Sequence, residues 1–171
     1  MLPRIRHATL SDIAGIAEVH VKSWQTIYRG IVPNEFLNNL SIPTQTKRWE
    51  GLIHTEEADI LVAEVNNLII GFISFCSPRM RIADTPFAIE LGAMYILPNK
   101  WRQGIGRLLF NEAIKEFQGK GYKKILLWVF EKNTQGRLFY KSMGFTEIDF
   151  ALDDWSGVPL KEILCQKQLI E

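Results

Sequence analysis

"PNKWRQGIGRLLF", residues Pro98 to Phe110, follows directly on an apolar run and gathers a proline, a tryptophan, basic residues and a Gly-x-Gly into one short stretch. A strand that stops at a proline, a loop rich in glycine and basic residues, and then a helix turns free backbone N–H groups toward an anion. Gly104 and Gly106 remove side chains that would block close approach, while Arg102 and Arg107 add positive charge. The stretch therefore predicts a phosphate cradle at a helix N-terminus, and spacing narrows the choice of phosphate. A dinucleotide fingerprint needs a third small residue where Leu109 stands, and the loop comes too late in the chain for two mononucleotide halves. A Walker loop needs Gly-Lys-Ser/Thr, which the sequence lacks. Taken alone, the loop is also compatible with glycines that merely shape a tight turn.

Working outward, "FAIELGAMYILP" before the loop reads as a nearly all-apolar and hence central strand, ended by Pro98. After it, Ile105, Leu108, Leu109, Ala113, Ile114 and Phe117 form a helical stripe that stops at Gly119 or Gly121. "KKILLWVFE" is a second buried strand, "NTQGRLFYKSM" a short helix, and "GFTEIDFAL" with "LKEILCQKQL" a closing antiparallel pair. Toward the N-terminus, "RIRHAT" alternates as a strand, and Thr9 with Asp12 offers a capping-box variant. Apolar residues from Ile13 to Tyr28 recur at helical spacing with Gly30 as a stop, and Pro33 and Pro43 open two shorter helices. "DILVAEV" and "LIIGFISFC" are strands joined by Asn66-Asn67, a pair that tolerates left-handed turn positions. The sum is an α/β fold: a mixed, mostly antiparallel central sheet of about seven strands with helices on both faces, in one domain spanning 1–171.

Composition excludes several classes. The 171 residues carry a formal charge of +1, and the basic runs "GYKK" and "PRMR" are short, so no nucleic-acid stripe is present. No apolar run approaches the ~20 residues of a membrane span, and "MLPRIRHATL" lacks a secretory pattern, so a cytoplasmic location is expected. Cys76 and Cys165 are far apart and read as buried free thiols, with Cys76 toward the edge side of the sheet. His7, His20 and His54 are scattered, and no metal is expected.

"LGAMYILPNKWRQGIGRLLFNEAI", then a strand, then "NTQGRLFYKSMGF" resembles the two central motifs of the GNAT superfamily of acetyl-CoA-dependent N-acetyltransferases. Asn133, Tyr140 and "MGF" (Met143 to Phe145) fall in the family's downstream register. The resemblance implies that the central strands splay and that acetyl-CoA wedges between them. Its pyrophosphate would lie against Arg102, Gln103, Gly104, Ile105, Gly106 and Arg107. Its pantetheine would pair like an extra strand with the backbone of Met94, Tyr95 and Ile96, and Asn133, capping the next helix, would bind the same arm. Gly92 is placed for the bulge that opens the splay. Trp101 departs from the family's usual Arg or Gln, and it packs either beside the adenosine or under the helix.

Acetyl transfer to an amine needs a base for the ammonium, a donor for the oxyanion and an acid for the departing thiolate. Glu90, alone among apolar and glycine neighbours, is the candidate base, acting through water as the resemblance implies. The alternative is a glutamate paired with a core-edge arginine. Tyr140 matches the family's general acid, with ordinary packing as its alternative, and the Met94 N–H would meet the oxyanion. Neither cysteine has a nearby histidine, so direct attack in a ternary complex is favoured over an acyl-enzyme. Trp24 and Tyr28, spaced i, i+4, together with Trp155 after Asp153-Asp154, form a candidate wall for a cationic amine. The alternatives are aromatics in the core and an exposed acidic turn. The expected activity is N-acetylation of a small-molecule amine by a monomer or homodimer. Acetylation of a peptide N-terminus or lysine, and a non-catalytic acyl-CoA sensor, are the competing readings.

Overall fold

Asn66 and Asn67 both adopt left-handed backbone, with φ of 51° and 62°, and this two-residue turn sets the first hairpin of the sheet. The computed structural model describes residues 2–55, 57–79, 87–155 and 157–169. Met80 and Arg81 of "PRMR" lie outside them. The strands are β1 (Arg4–His7), β2 (Asp59–Val65), β3 (Leu68–Cys76), β4 (Ala88–Ile96), β5 (Lys124–Phe130), β6 (Thr146–Trp155) and β7 (Val158–Gln168). The helices are α1 (Ile13–Ile27), α2 (Asn34–Asn39), α3 (Ile42–His54), α4 (Ile105–Gly119) and α5 (Thr134–Ser142).

The strands form one sheet in the order β1-β2-β3-β4-β5-β7-β6. Among the described strands only β4 and β5 pair in parallel, because α4 carries the chain back between them. One face packs Ile73, Ile89, Leu91, Ile125 and Leu127 against Leu109, Phe110, Ala113 and Phe117 of α4. The other packs Val62 and Phe72 against Ile16 and Val19 of α1 and Trp49 of α3. The expected mixed sheet with helices on both faces is therefore what the chain forms.

Three details differ from expectation. Leu108 is partly exposed while Phe110 is fully buried, because the inner face of α4 follows Gly106, Phe110, Ala113 and Phe117. Asp153 and Asp154 lie inside β6 opposite Leu160 and Pro159, not in a turn, and the Asp154 carboxylate accepts a hydrogen bond from the Gly157 N–H at 2.9 Å. Cys76 belongs to β3, an interior strand, opposite Glu90; it is half-buried, and burial followed by the Glu90 charge raises its thiol.

Candidate active site

The site begins where the sheet comes apart. Pairing of β4 with β5 runs only from Ala88–Lys124 to Leu91–Leu127, although both strands continue. Gly92 is the extra residue at this point: Leu91 lies opposite Phe75 and Ala93 opposite Ser74, so the register of β3 with β4 shifts by one. Leu97 N–H donates to the Ile70 carbonyl at 2.9 Å, which fixes the alternation of the strand. The backbone groups of Tyr95 therefore turn toward β3, and those of Met94 and Ile96 toward the open side. Of the three residues expected to offer pantetheine a backbone edge, Met94 and Ile96 turn their backbone groups to the open side and Tyr95 turns its own toward β3.

The open side continues into a cleft of about 700 Å³ lined by Gly92, Met94, Tyr95, Ile96, Trp101, Arg102, Gly104, Ile105, Gly106, Arg107, Asn133 and Tyr140. At one end lies the cradle. Arg102 and Gly104 hold left-handed backbone, with φ of 59° and 80°, and Gly104 is the N-cap of α4. Alternation of this kind aims successive N–H groups at one point, as an anion site requires. Gly106 packs tightly: a Cβ there would come within 3.1 Å of Ile96 Cδ1 and 3.3 Å of Met94 Cε, so those side-chain ends would have to shift to admit it. Gln103, unlike its neighbours, does not line the cleft; its exposed side chain donates to the Asn99 carbonyl at 3.3 Å. Asn133 caps α5 as expected, its Oδ1 accepting from the Gly136 N–H at 3.0 Å. A Cβ on Gly136 would lie 2.7 Å from Asn133 Nδ2, so glycine is what lets this cap form.

Tyr140 forms part of the cleft wall, and burial pushes its phenol well above the ordinary value of 10.0, with the Tyr95 and Cys165 charges adding to the effect. It is therefore a protonated donor at any physiological pH. Trp101 also lines the cleft and donates its indole N–H to the Ile96 carbonyl at 2.7 Å.

Glu90 is fully buried and is not alone. Its Oε1 accepts from Arg79 Nε at 2.7 Å and its Oε2 from the Arg79 backbone N–H at 2.9 Å. The arginine partner that the sequence left as an alternative is present, and Arg79 Nη1 also lies 3.8 Å from Glu162 of β7. Glu162 is buried, and its charge helps raise the phenols of Tyr28 and Tyr95, for which burial is the larger cause. Sequence reasoning missed both Arg79 and Glu162.

Trp24, Tyr28 and Trp155 do meet. The Trp24 ring centroid is 4.7 Å from that of Tyr28 and 5.7 Å from that of Trp155, and Phe36 and Phe130 complete the cluster. Only Tyr28 of the three lines the cleft, and its hydroxyl stands 3.4 Å from that of Tyr95. Behind this cluster His20 is buried and stacks on Tyr95, and its Nδ1 accepts from Trp49 Nε1 at 3.0 Å. Among the described residues no His, Cys, Asp and Glu group of three or more is arranged to hold a metal ion. No helix there is long and apolar enough to cross a membrane.

Comparison with known proteins agrees with this geometry. Residues 22–145 match the model of the acetyltransferase (GNAT) family. The chain is 31% identical over 159 residues to the uncharacterized N-acetyltransferase YuaI of Bacillus subtilis, covering 93% of this chain and 89% of that protein. It is 30% identical over 146 residues to the spermidine N(1)-acetyltransferase of Thermoplasma acidophilum, covering 82% and 86%. The crystal structure of the PaiA N-acetyltransferase of that organism in complex with coenzyme A superposes with a TM-score of 0.79 at 25% identity, covering 98% of this chain and 99% of that one. A splayed sheet, a left-handed loop at the N-terminus of α4 and a family match over most of the chain lead to one conclusion: the protein belongs to the GNAT family and is an acetyl-CoA-dependent N-acetyltransferase.

Proposed function

We propose that the protein transfers acetyl directly from acetyl-CoA to the primary amine of a small molecule, bound together in one ternary complex within a single domain of the cytoplasm. The observation that carries this reading is the continuity of one cleft: it runs from the Arg102–Arg107 cradle, past the open groups of Met94 and Ile96 and the phenol of Tyr140, to Ile27 and Tyr28 on the α1 side. Donor and acceptor then approach from opposite faces of the sheet and meet at the splay. The Met94 N–H stabilises the oxyanion, Asn133 holds the pantetheine arm, and Tyr140 protonates the departing thiolate.

The ammonium proton leaves on the acceptor side through water to Glu90, whose Oε1 accepts from Arg79 Nε. Either oxygen of Glu90 already accepts one hydrogen bond, and a carboxylate oxygen has a second lone pair for that water. The acceptor end is lined by Ile27, Tyr28 and Trp128, an apolar and aromatic wall that suits an aliphatic amine. A relative named for spermidine, a polyamine with primary amine ends, supports the same class.

The test is release of free CoA from acetyl-CoA against a panel of polyamines, amino sugars and lysine peptides. Turnover on small amines is expected, and turnover confined to peptides would replace the small-molecule acceptor with a protein. Saturable acetyl-CoA binding with no turnover on any amine would make the protein a sensor.

A further inference from the structure

Trp101 stands where the family resemblance implies Arg or Gln, and its indole N–H is engaged with the backbone of the cofactor strand. The Ile96 carbonyl accepts the Trp101 indole N–H at 2.7 Å and the Ser23 hydroxyl of α1 at 3.2 Å. A carbonyl oxygen has two lone pairs, so these two donors saturate it. The consequence reaches the cofactor edge directly, because Ile96 is one of two residues whose backbone faces the open side of β4. With its carbonyl occupied, that edge is left with the Met94 N–H, the Met94 carbonyl and the Ile96 N–H.

The same bond ties the loop to the strand. Trp101 immediately precedes Arg102, a non-glycine residue held at φ 59°, a conformation that costs about 1 kcal/mol and persists only where its surroundings enforce it. On the Trp101 side, the backbone N–H donates to the Pro98 carbonyl at 3.3 Å while the indole reaches back five residues to Ile96. The residue is thereby fixed at both its backbone and its ring, and Arg102 follows from a rigid point.

We infer that Trp101 is a positioning residue for acetyl-CoA: its indole N–H pins the pyrophosphate loop to the cofactor strand and closes the pantetheine edge at Ile96. It acts through the loop and strand and not through a charge on the phosphate. The inference rests on the cofactor cleft described above and is independent of which amine is acetylated.

The test is calorimetric titration of the full chain with CoA, which needs no acceptor, alongside kcat, KM for acetyl-CoA and melting temperature. Trp101→Phe keeps an aromatic ring and loses the N–H, and it should weaken CoA binding and raise KM about three- to tenfold, as expected for one lost hydrogen bond. Its kcat at saturating acetyl-CoA should stay within about twofold, and its melting temperature should be near that of the wild type. Trp101→Gln, whose amide can donate to the same carbonyl, should recover most of the affinity. Wild-type binding by Trp101→Phe, equal loss in both variants, or failure of both to fold would overturn the inference. Failure of turnover with intact CoA binding would instead count against the proposed reaction and leave Trp101's role standing.

Discussion

Leu91 and Leu127 are the last pair that joins β4 to β5, and beyond them Met94 and Ile96 have no strand partner on that side. Everything proposed for the cofactor depends on this opening, because a strand edge with free N–H and carbonyl groups is what an extended amide-bearing arm can pair with. The opening coincides with the bulge at Gly92, so the irregularity in the β3–β4 ladder and the loss of β4–β5 pairing are two sides of one event.

The cradle is tested by Gly104→Ala. A Cβ there meets nothing within 4 Å, yet φ is +80°, so the substitution carries conformational strain and no clash. Stability should fall by about 1 kcal/mol. CoA affinity should fall several-fold as the loop relaxes, and calorimetry with thermal denaturation checks both. Unchanged affinity would mean the left-handed turn does not shape the anion site.

Tyr140→Phe removes one oxygen from the cleft wall. A drop in kcat of about 10- to 100-fold with KM for acetyl-CoA within about threefold is expected of a lost proton donor. Because burial holds the phenol protonated well beyond its ordinary 10.0, wild-type kcat should show no alkaline decline from this group below that pH. The pH profile of both proteins is the check.

Glu90→Gln keeps the shape and removes the proton acceptor. An activity loss of about tenfold or more in kcat/KM is expected, with only a modest loss of stability, since Arg79 is partly exposed and can be rehydrated. Near-wild-type turnover would limit Glu90 to holding Arg79 and the start of the β3–β4 connection.

His20 gives the fold a pH dependence of defined sign. Burial, and then the Arg48 charge, depress its pKa from 6.5 to about 3, so the folded protein binds fewer protons there than the unfolded chain. The associated stability is complete above pH 6.5 and is lost as pH falls toward 3, at up to about 1.4 kcal/mol per pH unit. His20→Asn, which retains an acceptor for Trp49 Nε1, should flatten this slope in denaturant titrations between pH 6.5 and 4.

Features encoded within a few residues were legible in the sequence. Pro98, Gly104 and the Asn133 cap announce themselves locally, as does the Asn66-Asn67 turn. The phase of α4 was less legible because Gly106 is part of its buried face, and an apolar count does not register a glycine. Contacts that only the sheet creates were invisible: Arg79 reaches Glu90 across a long connection, and Glu162 arrives from β7. The aromatic residues were recognised as a group, but their shared cluster leaves only Tyr28 on the cleft. Trp101 was an irregularity in the sequence because its partner is a backbone carbonyl, which no side-chain pattern reveals.

Donor and acceptor meeting at the splay is tested most directly by acetyl-CoA-dependent acetylation of a polyamine panel, with wild type and Tyr140→Phe assayed together at saturating acetyl-CoA. The expected result is stoichiometric CoA release and acetylated amine from the wild type, and a kcat lowered about 10- to 100-fold in the variant with CoA binding retained. Equal turnover by both proteins, or binding of acetyl-CoA without acetylation of any amine, would contradict it.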